Sequence, residues 1–192
     1  MILGLFTIVS IAVCSGHVAY AQEASATEVA FKEYQIKAAF LFNFAKFVEW
    51  PYKAFPNEIS PLVIGVLGED PFGHVLEELV ENQTINGRKL VIKRFRRIEE
   101  LKICHILFIS PSEKKAVPEI LASLKNRHIL TVSDIDRFAA RGGIICFVQQ
   151  NSSIHFEINV EAAKTAELKI SSKLLRLAQV VDSISFSGDS PE

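Results

Sequence analysis

The sequence predicts an α/β fold: a three-layer sandwich around a mainly parallel sheet with an antiparallel edge hairpin. Three observations carry that prediction. Leu62-Val63-Ile64-Gly65-Val66-Leu67 and Cys104-His105-Ile106-Leu107-Phe108-Ile109 are continuous apolar runs, as expected of parallel strands buried on both faces. Segments of helical period alternate with these runs, which implies crossover connections. Near the C-terminus, Asn151-Ser152 separates two strand-like stretches and reads as a hairpin turn.

The first 21 residues, MILGLFTIVSIAVCSGHVAYA, contain no Lys, Arg, Asp or Glu. Their apolar run, Ile2 to Val13, is too short for a membrane span of about 20 residues. Ala19-Tyr20-Ala21 offers the small–x–small pattern of a signal-peptidase site, so residues 1–21 read as a signal peptide and Gln22 as the mature start. No basic residue precedes the apolar run, which departs from the usual pattern. Val13 before Cys14 argues against lipidation. Export implies an oxidising compartment, and 22–28 reads as a frayed terminus.

Phe31 to Pro51 is the most distinctive stretch, with five of the fourteen phenylalanines and the only tryptophan, Trp50. It has no Gly or internal Pro and predicts a helix that Pro51 ends. At about 100° per residue its apolar arc is roughly 200° wide, broken mainly by Lys37, whereas a surface helix needs about 100°. Either the helix is covered on two sides, or it leaves aromatic surface for a partner. Phe40, Phe42, Phe44, Phe47 and Trp50 are the candidate contact residues.

Tyr52 to Pro61 reads as a loop. After the first strand, Gly68-Glu69-Asp70-Pro71 turns into a helix over 72–80. Asn86-Gly87 leads into a strand over 89–95. Ile98 to Leu101 reads as a helical turn. Ser110-Pro111-Ser112 starts a helix reaching about Asn126. A strand over 128–132 and a short helix over 135–139 follow. Gly142-Gly143 opens a strand over 144–149, and the hairpin returns over 154–160. Two helices are predicted at the end, over 161–167 and 171–181, the second with a Leu-rich face. A single domain over 29–184 and a frayed tail over 185–192 complete the chain.

The net charge of −1 offers no basic surplus for nucleic acid. The loop after the first strand lacks a G-x-G-x-x-G fingerprint and carries Glu69 and Asp70, which repel phosphate. P-loop, G-x-S-x-G and H-E-x-x-H motifs are absent. His155 and Glu157 share one face of a predicted strand, half a metal site at most and better read as a solvated edge. His105 reads as a hydrogen-bonded core histidine, and His74 and His128 show no partner in sequence. No cofactor, metal or enzymatic activity is predicted.

Cys104 and Cys146 remain in the mature chain and raise a disulfide reading. If the strand over 128–132 lies between theirs, they sit about 9.5 Å apart, beyond the roughly 7 Å a bridge allows. Two buried thiols is the alternative.

Several blocks resemble the YfiR-like family of bacterial periplasmic regulatory proteins. They are Ile36 to Phe40 with Phe44 to Pro51, Val66 to Gly73, Ile85 to Arg88, Cys104 to Ser110, Leu130 to Asp134 and Gly142-Gly143. Phe156 to Asn159 and Leu168 to Ala178 complete the series. The resemblance implies a non-enzymatic periplasmic regulator that binds and restrains the periplasmic portion of an inner-membrane signalling protein, a diguanylate cyclase. Holding that partner keeps cyclic-di-GMP low, and release promotes biofilm behaviour. The aromatic helix and the Leu-rich helix are the contact elements on this reading; homodimerisation through the same surface is equally compatible. Relatives with more cysteines imply disulfide redox control, but Gly65 and Arg141-Gly142-Gly143 offer no extra cysteine here. The alternative function is a periplasmic small-ligand-binding module, with loops near Gly68 to Phe72, Ser110 and Ser133 at the carboxyl ends of the strands.

Overall fold

The computed structural model describes residues 14–151 and 153–182. An eight-stranded, mainly parallel sheet lies between two layers of helices and turns. The elements run α1 (Cys14–Phe47), β1 (Val48–Glu49), β2 (Leu62–Leu67), α2 (Val75–Val80), β3 (Thr84–Ile85), β4 (Arg88–Phe95) and β5 (Ile106–Ile109). They continue α3 (Val117–Ser123), β6 (Leu130–Ser133), β7 (Ile145–Gln150), β8 (Ser153–Asn159), α4 (Val160–Thr165), β9 (Lys169–Ile170), α5 (Ser172–Leu175) and β10 (Gln179–Val181). The sheet order is β10-β8-β7-β6-β5-β2-β4-β3, with β7–β8 and β3–β4 antiparallel and the other pairs parallel.

β2, β5 and β6 are buried throughout, which is why β2 and β5 read as unbroken apolar runs, while β6 buries Thr131 and Ser133 with their hydroxyls hydrogen-bonded. Alternate residues serve two cores. Ile64, Val66, Ile106, Phe108, Leu130 and Val132 face α1, α2, α4 and α5. Leu67, Leu107 and Ile109 face α3 and the turns around Ile135 to Ala139. Gly65 has no room for a side chain, since a Cβ there would lie 2.8 Å from Cys104 Sγ and 2.9 Å from Phe95. Asn86 and Gly87, both at positive φ, form the tight β3–β4 turn that Asn-Gly predicts.

Five expectations are corrected. α1 ends at Phe47, because Val48 and Glu49 pair antiparallel with Ile170 and Lys169, and Ser171 N–H bonds the Phe47 carbonyl. Tertiary strand pairing overrides helix propensity there. At its other end α1 runs back through 22–28, a stretch rich in Ala, Glu and Gln; cleavage after Ala21 would remove its first eight residues. The Leu-rich helix is one turn, α5, capped by Ser171, after which β10 pairs parallel with β8. The β7–β8 hairpin therefore lies one strand inside the edge. The segment over 135–139 forms turns rather than a helix. Residues 1–13 of the leader, Ser152 and the tail from residue 183 lie outside the described residues. No helix among the described residues is long and apolar enough to cross a membrane.

Candidate functional site

The site worth building is α1 and the two polar anchors that hold it. Its buried face comprises Ala38, Leu41, Phe44 and Ala45, all at or below 1% exposure, and Val48 of β1 continues it. The alanines bring the helix backbone close to the sheet, and the large residues fill the space beside them. Phe44 packs edge-on to Phe156 at 5.3 Å and stacks with Phe147 at 5.9 Å. Phe44 is therefore core, not a contact residue: its ring has no surface to offer a partner.

The other four sequence-predicted aromatics do not form one patch. Phe40 is half-buried, against Phe147 and Phe156. By helical rotation it shares a shoulder of α1 with Val29, Ile36 and Phe47. Val29 and Ile36 are 60% and 48% exposed. Phe42 lies on the opposite flank, half-buried, with Lys46 Nζ 4.0 Å from its ring centroid. Trp50 turns inward and donates its indole N–H to the His105 carbonyl at 3.2 Å.

That bond belongs to the first anchor. His105 is fully buried in the chain just before β5. Its Nδ1 accepts from Val63 N–H at 3.0 Å. The ring is thereby left with its proton on Nε2, which donates to the Ala54 carbonyl at 3.2 Å. Phe55 stacks on the imidazole at 4.3 Å, and the Arg88 guanidinium covers Phe55 at 3.8 Å. Burial, opposed by the bond to Ala54, pushes the imidazole pKa down to about 4. The histidine is a neutral structural clasp on the chain leaving α1.

The second anchor is a buried ion cluster that sequence reasoning missed. Lys37, 4% exposed in its side chain, contacts Glu33 and Asp134 carboxylates at 2.5 Å each. Tyr34 donates its hydroxyl to Asp134 Oδ2 at 2.8 Å. Burial, then the Asp134 charge and hydrogen bond, push the phenol above its usual range. Asp134 Oδ1 is buried without a hydrogen-bond partner. The one sequence signal was Lys37 itself, a lysine interrupting the apolar arc.

The loops proposed for ligand binding are largely closed on themselves. Glu69 N–H bonds Ser112 Oγ, and Asp70 accepts from Phe72 N–H and pairs with Arg94. Ser133 Oγ donates to the Ile109 carbonyl and accepts from Ile135 N–H. His155 is exposed on β8 beside half-buried Glu157, and no group of metal-binding side chains occurs among the described residues. Cys104 and Cys146 are free, buried thiols, with β6 between β5 and β7 in the sheet. Burial pushes the Cys104 thiol up to about 12 and raises that of Cys146. Neither is a reactive cysteine.

The geometry shows a helix held in its middle by Asp134 and just past its C-terminal end by the His105 clasp, with an apolar shoulder uncovered. A search of curated proteins finds no match. The YfiR/HmsC-like family model, DUF4154, matches residues 34–179, from the Tyr34 anchor to the first residue of β10. That match spans well over half of the chain, and the chain belongs to the YfiR/HmsC-like family, a family of periplasmic regulators of cyclic-di-GMP signalling.

Proposed function

We propose that the protein is a non-enzymatic regulator, exported by its leader and cleaved near Ala21, that restrains the periplasmic portion of an inner-membrane diguanylate cyclase. The observation that carries this reading is the α1 shoulder. Val29 and Ile36 expose apolar side chains beside half-buried Phe40 and Phe47 on one continuous line of the helix. An apolar stripe at i, i+7, i+11 and i+18 is what helix-in-groove or helix-on-helix docking uses. Burying such anchors supplies most of the energy of an interface. Phe40, Phe47 and Ile36 are the contact residues on this reading, and Phe42 with Lys46 forms the opposite rim.

The test is cyclic-di-GMP content in cells lacking the gene, complemented by wild type, Ile36→Asp or Asn43→Asp. Asn43 is exposed on α1 and serves as the control. Deletion raises cyclic-di-GMP; wild type and Asn43→Asp bring it down, and exported Ile36→Asp does not. No rise on deletion would end the cyclase reading. Full rescue by Ile36→Asp would remove the contact from this shoulder.

A further inference from the structure

A cavity of about 390 Å³ opens at the amino ends of β5 and β6, away from the carboxyl-end loops that are closed on themselves. Its size falls within the range of small-molecule sites. Phe55, Pro56 and Ile103 form an apolar wall, of which Ile103 is still 41% exposed. The polar wall is Lys53, Lys102, Arg127 and His128, and no carboxylate side chain lines the cavity among the described residues. The chain as a whole carries a net charge of −1, so bases without an acid are a local concentration.

The partners of each group show which charge is left over. Lys53 is paired with Glu167 at 2.8 Å, so its charge is cancelled. His128 donates Nδ1–H to the Ala166 carbonyl at 3.0 Å, which leaves Nε2 an acceptor in the neutral ring. Lys102 and Arg127 have no ion pair among the described residues. Arg127 is half-buried, and its Nη2 donates to the Leu101 and Lys102 carbonyls at 3.0 and 2.9 Å. These bonds fix the guanidinium before any ligand arrives, while Nε and Nη1 keep their hydrogens unused. Carbonyl contacts return hydrogen bonds to a guanidinium that has lost part of its hydration, but they bring no countercharge. Two positive charges therefore remain to be met, one of them on a fixed planar fork beside an apolar wall.

A carboxylate would neutralise only one of them. A phosphate monoester carries about −1.5 to −2 at neutral pH, and an arginine fork grips its oxygens bidentately. The apolar wall calls for an organic body, which inorganic phosphate lacks. We propose that this cavity binds a small organic phosphate monoester. Arg127 and Lys102 hold the phosphoryl group, and the apolar body lies against Phe55, Pro56 and Ile103.

Isothermal titration of the purified protein with phenyl phosphate, benzoate and inorganic phosphate tests the site, at physiological salt so that loose surface pairing is screened. Phenyl phosphate binds at one site, at least fivefold more tightly than benzoate or inorganic phosphate. Lys102→Gln, at an exposed position, weakens phenyl phosphate at least fivefold while the melting temperature is kept. Lys115→Gln removes the same charge from an exposed position outside the cavity and leaves binding unchanged. Arg127→Gln weakens binding further; should that variant fail to fold, Lys102→Gln alone decides. No binding of phenyl phosphate, equal binding of benzoate or of inorganic phosphate, or a Lys102→Gln variant that binds as well as Lys115→Gln would overturn the proposal. The titration needs no cyclase, so its outcome stands apart from the regulator reading.

Discussion

Protonating His105 should loosen the chain that leaves α1, and the effect can be sized. The folded imidazole has a pKa near 4, against an ordinary value of 6.5. Between those values the unfolded chain binds more protons than the folded one, so stability rises with pH across this window. Acidification removes the advantage: the loss begins below about 6.5 and is complete below about 4. At pH 4.5 the linkage relation gives a loss of about 2.5 kcal/mol relative to pH 7.5. His105→Gln provides the reference, because glutamine does not titrate. It keeps a donor for the Ala54 carbonyl and gives up the acceptor for Val63 N–H, at a cost of about 1–3 kcal/mol near neutrality. Urea unfolding of both proteins at pH 7.5, 5.5 and 4.5, followed by Trp50 fluorescence, isolates the term. Trp50 is the only tryptophan and is bonded to the His105 carbonyl. All other titrating groups are shared and cancel in the difference. Wild type starts more stable than His105→Gln, and the gap shrinks by about 2.5 kcal/mol at pH 4.5. A gap constant to within about 0.5 kcal/mol would refute the neutral, doubly bonded histidine.

The remaining predictions separate core from surface. Phe44→Ala should cost about 3–5 kcal/mol in urea unfolding, because it empties a fully buried site between Phe147 and Phe156; a cost under about 1 kcal/mol would contradict its place in the core. Ile36→Asp should leave stability within about 0.5 kcal/mol while abolishing repression, as thermal melts of the same purified variant will check. Gly65→Ala should cost about 1–3 kcal/mol, since the new methyl meets Cys104 Sγ and Phe95 below contact distance. In the chain beginning at Gln22, Ellman's reagent at pH 8 should find no reactive thiol natively and both Cys104 and Cys146 in urea; silence in urea would mean that they are bridged.

What was legible in the sequence was what local pattern determines. β2 and β5 announced themselves because strands buried on both faces carry no polar alternation, and Asn86-Gly87 because few other pairs tolerate two positive φ values. The C-terminal misreading has an equally local cause. Leu174, Leu175 and Ala178 keep helical spacing, yet Leu177 is 68% exposed and the chain leaves the helix to pair with β8. Period alone could not reveal the competing strand partner. The end of α1 was misplaced likewise, since Val48 and Glu49 find their partners more than a hundred residues away. The ion cluster was half visible: Lys37 stood out as a charge on an apolar face, but its partner Asp134 lies 97 residues on, beyond any local pattern. The aromatic excess of α1 was visible in the sequence, but which rings are core and which are shoulder depends on how the helix is rotated against the sheet.

That rotation is set by the polar anchors rather than by the apolar face. Apolar burial is non-directional, and α1 offers large apolar groups at nearly every turn. A slide of one turn, about 5.4 Å, would exchange one phenylalanine for another at modest cost. The polar contacts allow no such exchange. Lys37 and Tyr34 must both reach Asp134, Trp50 must reach the His105 carbonyl, and Phe47 must accept from Ser171 N–H. Buried ion pairs add little net stability once desolvation is counted, and their best-attested use is to select one register over others. Here the selected register puts Val29, Ile36, Phe40 and Phe47 on the outward shoulder. Of the two anchors, the His105 clasp has both ring nitrogens bonded, while Asp134 holds Lys37 and Tyr34 through Oδ2 alone.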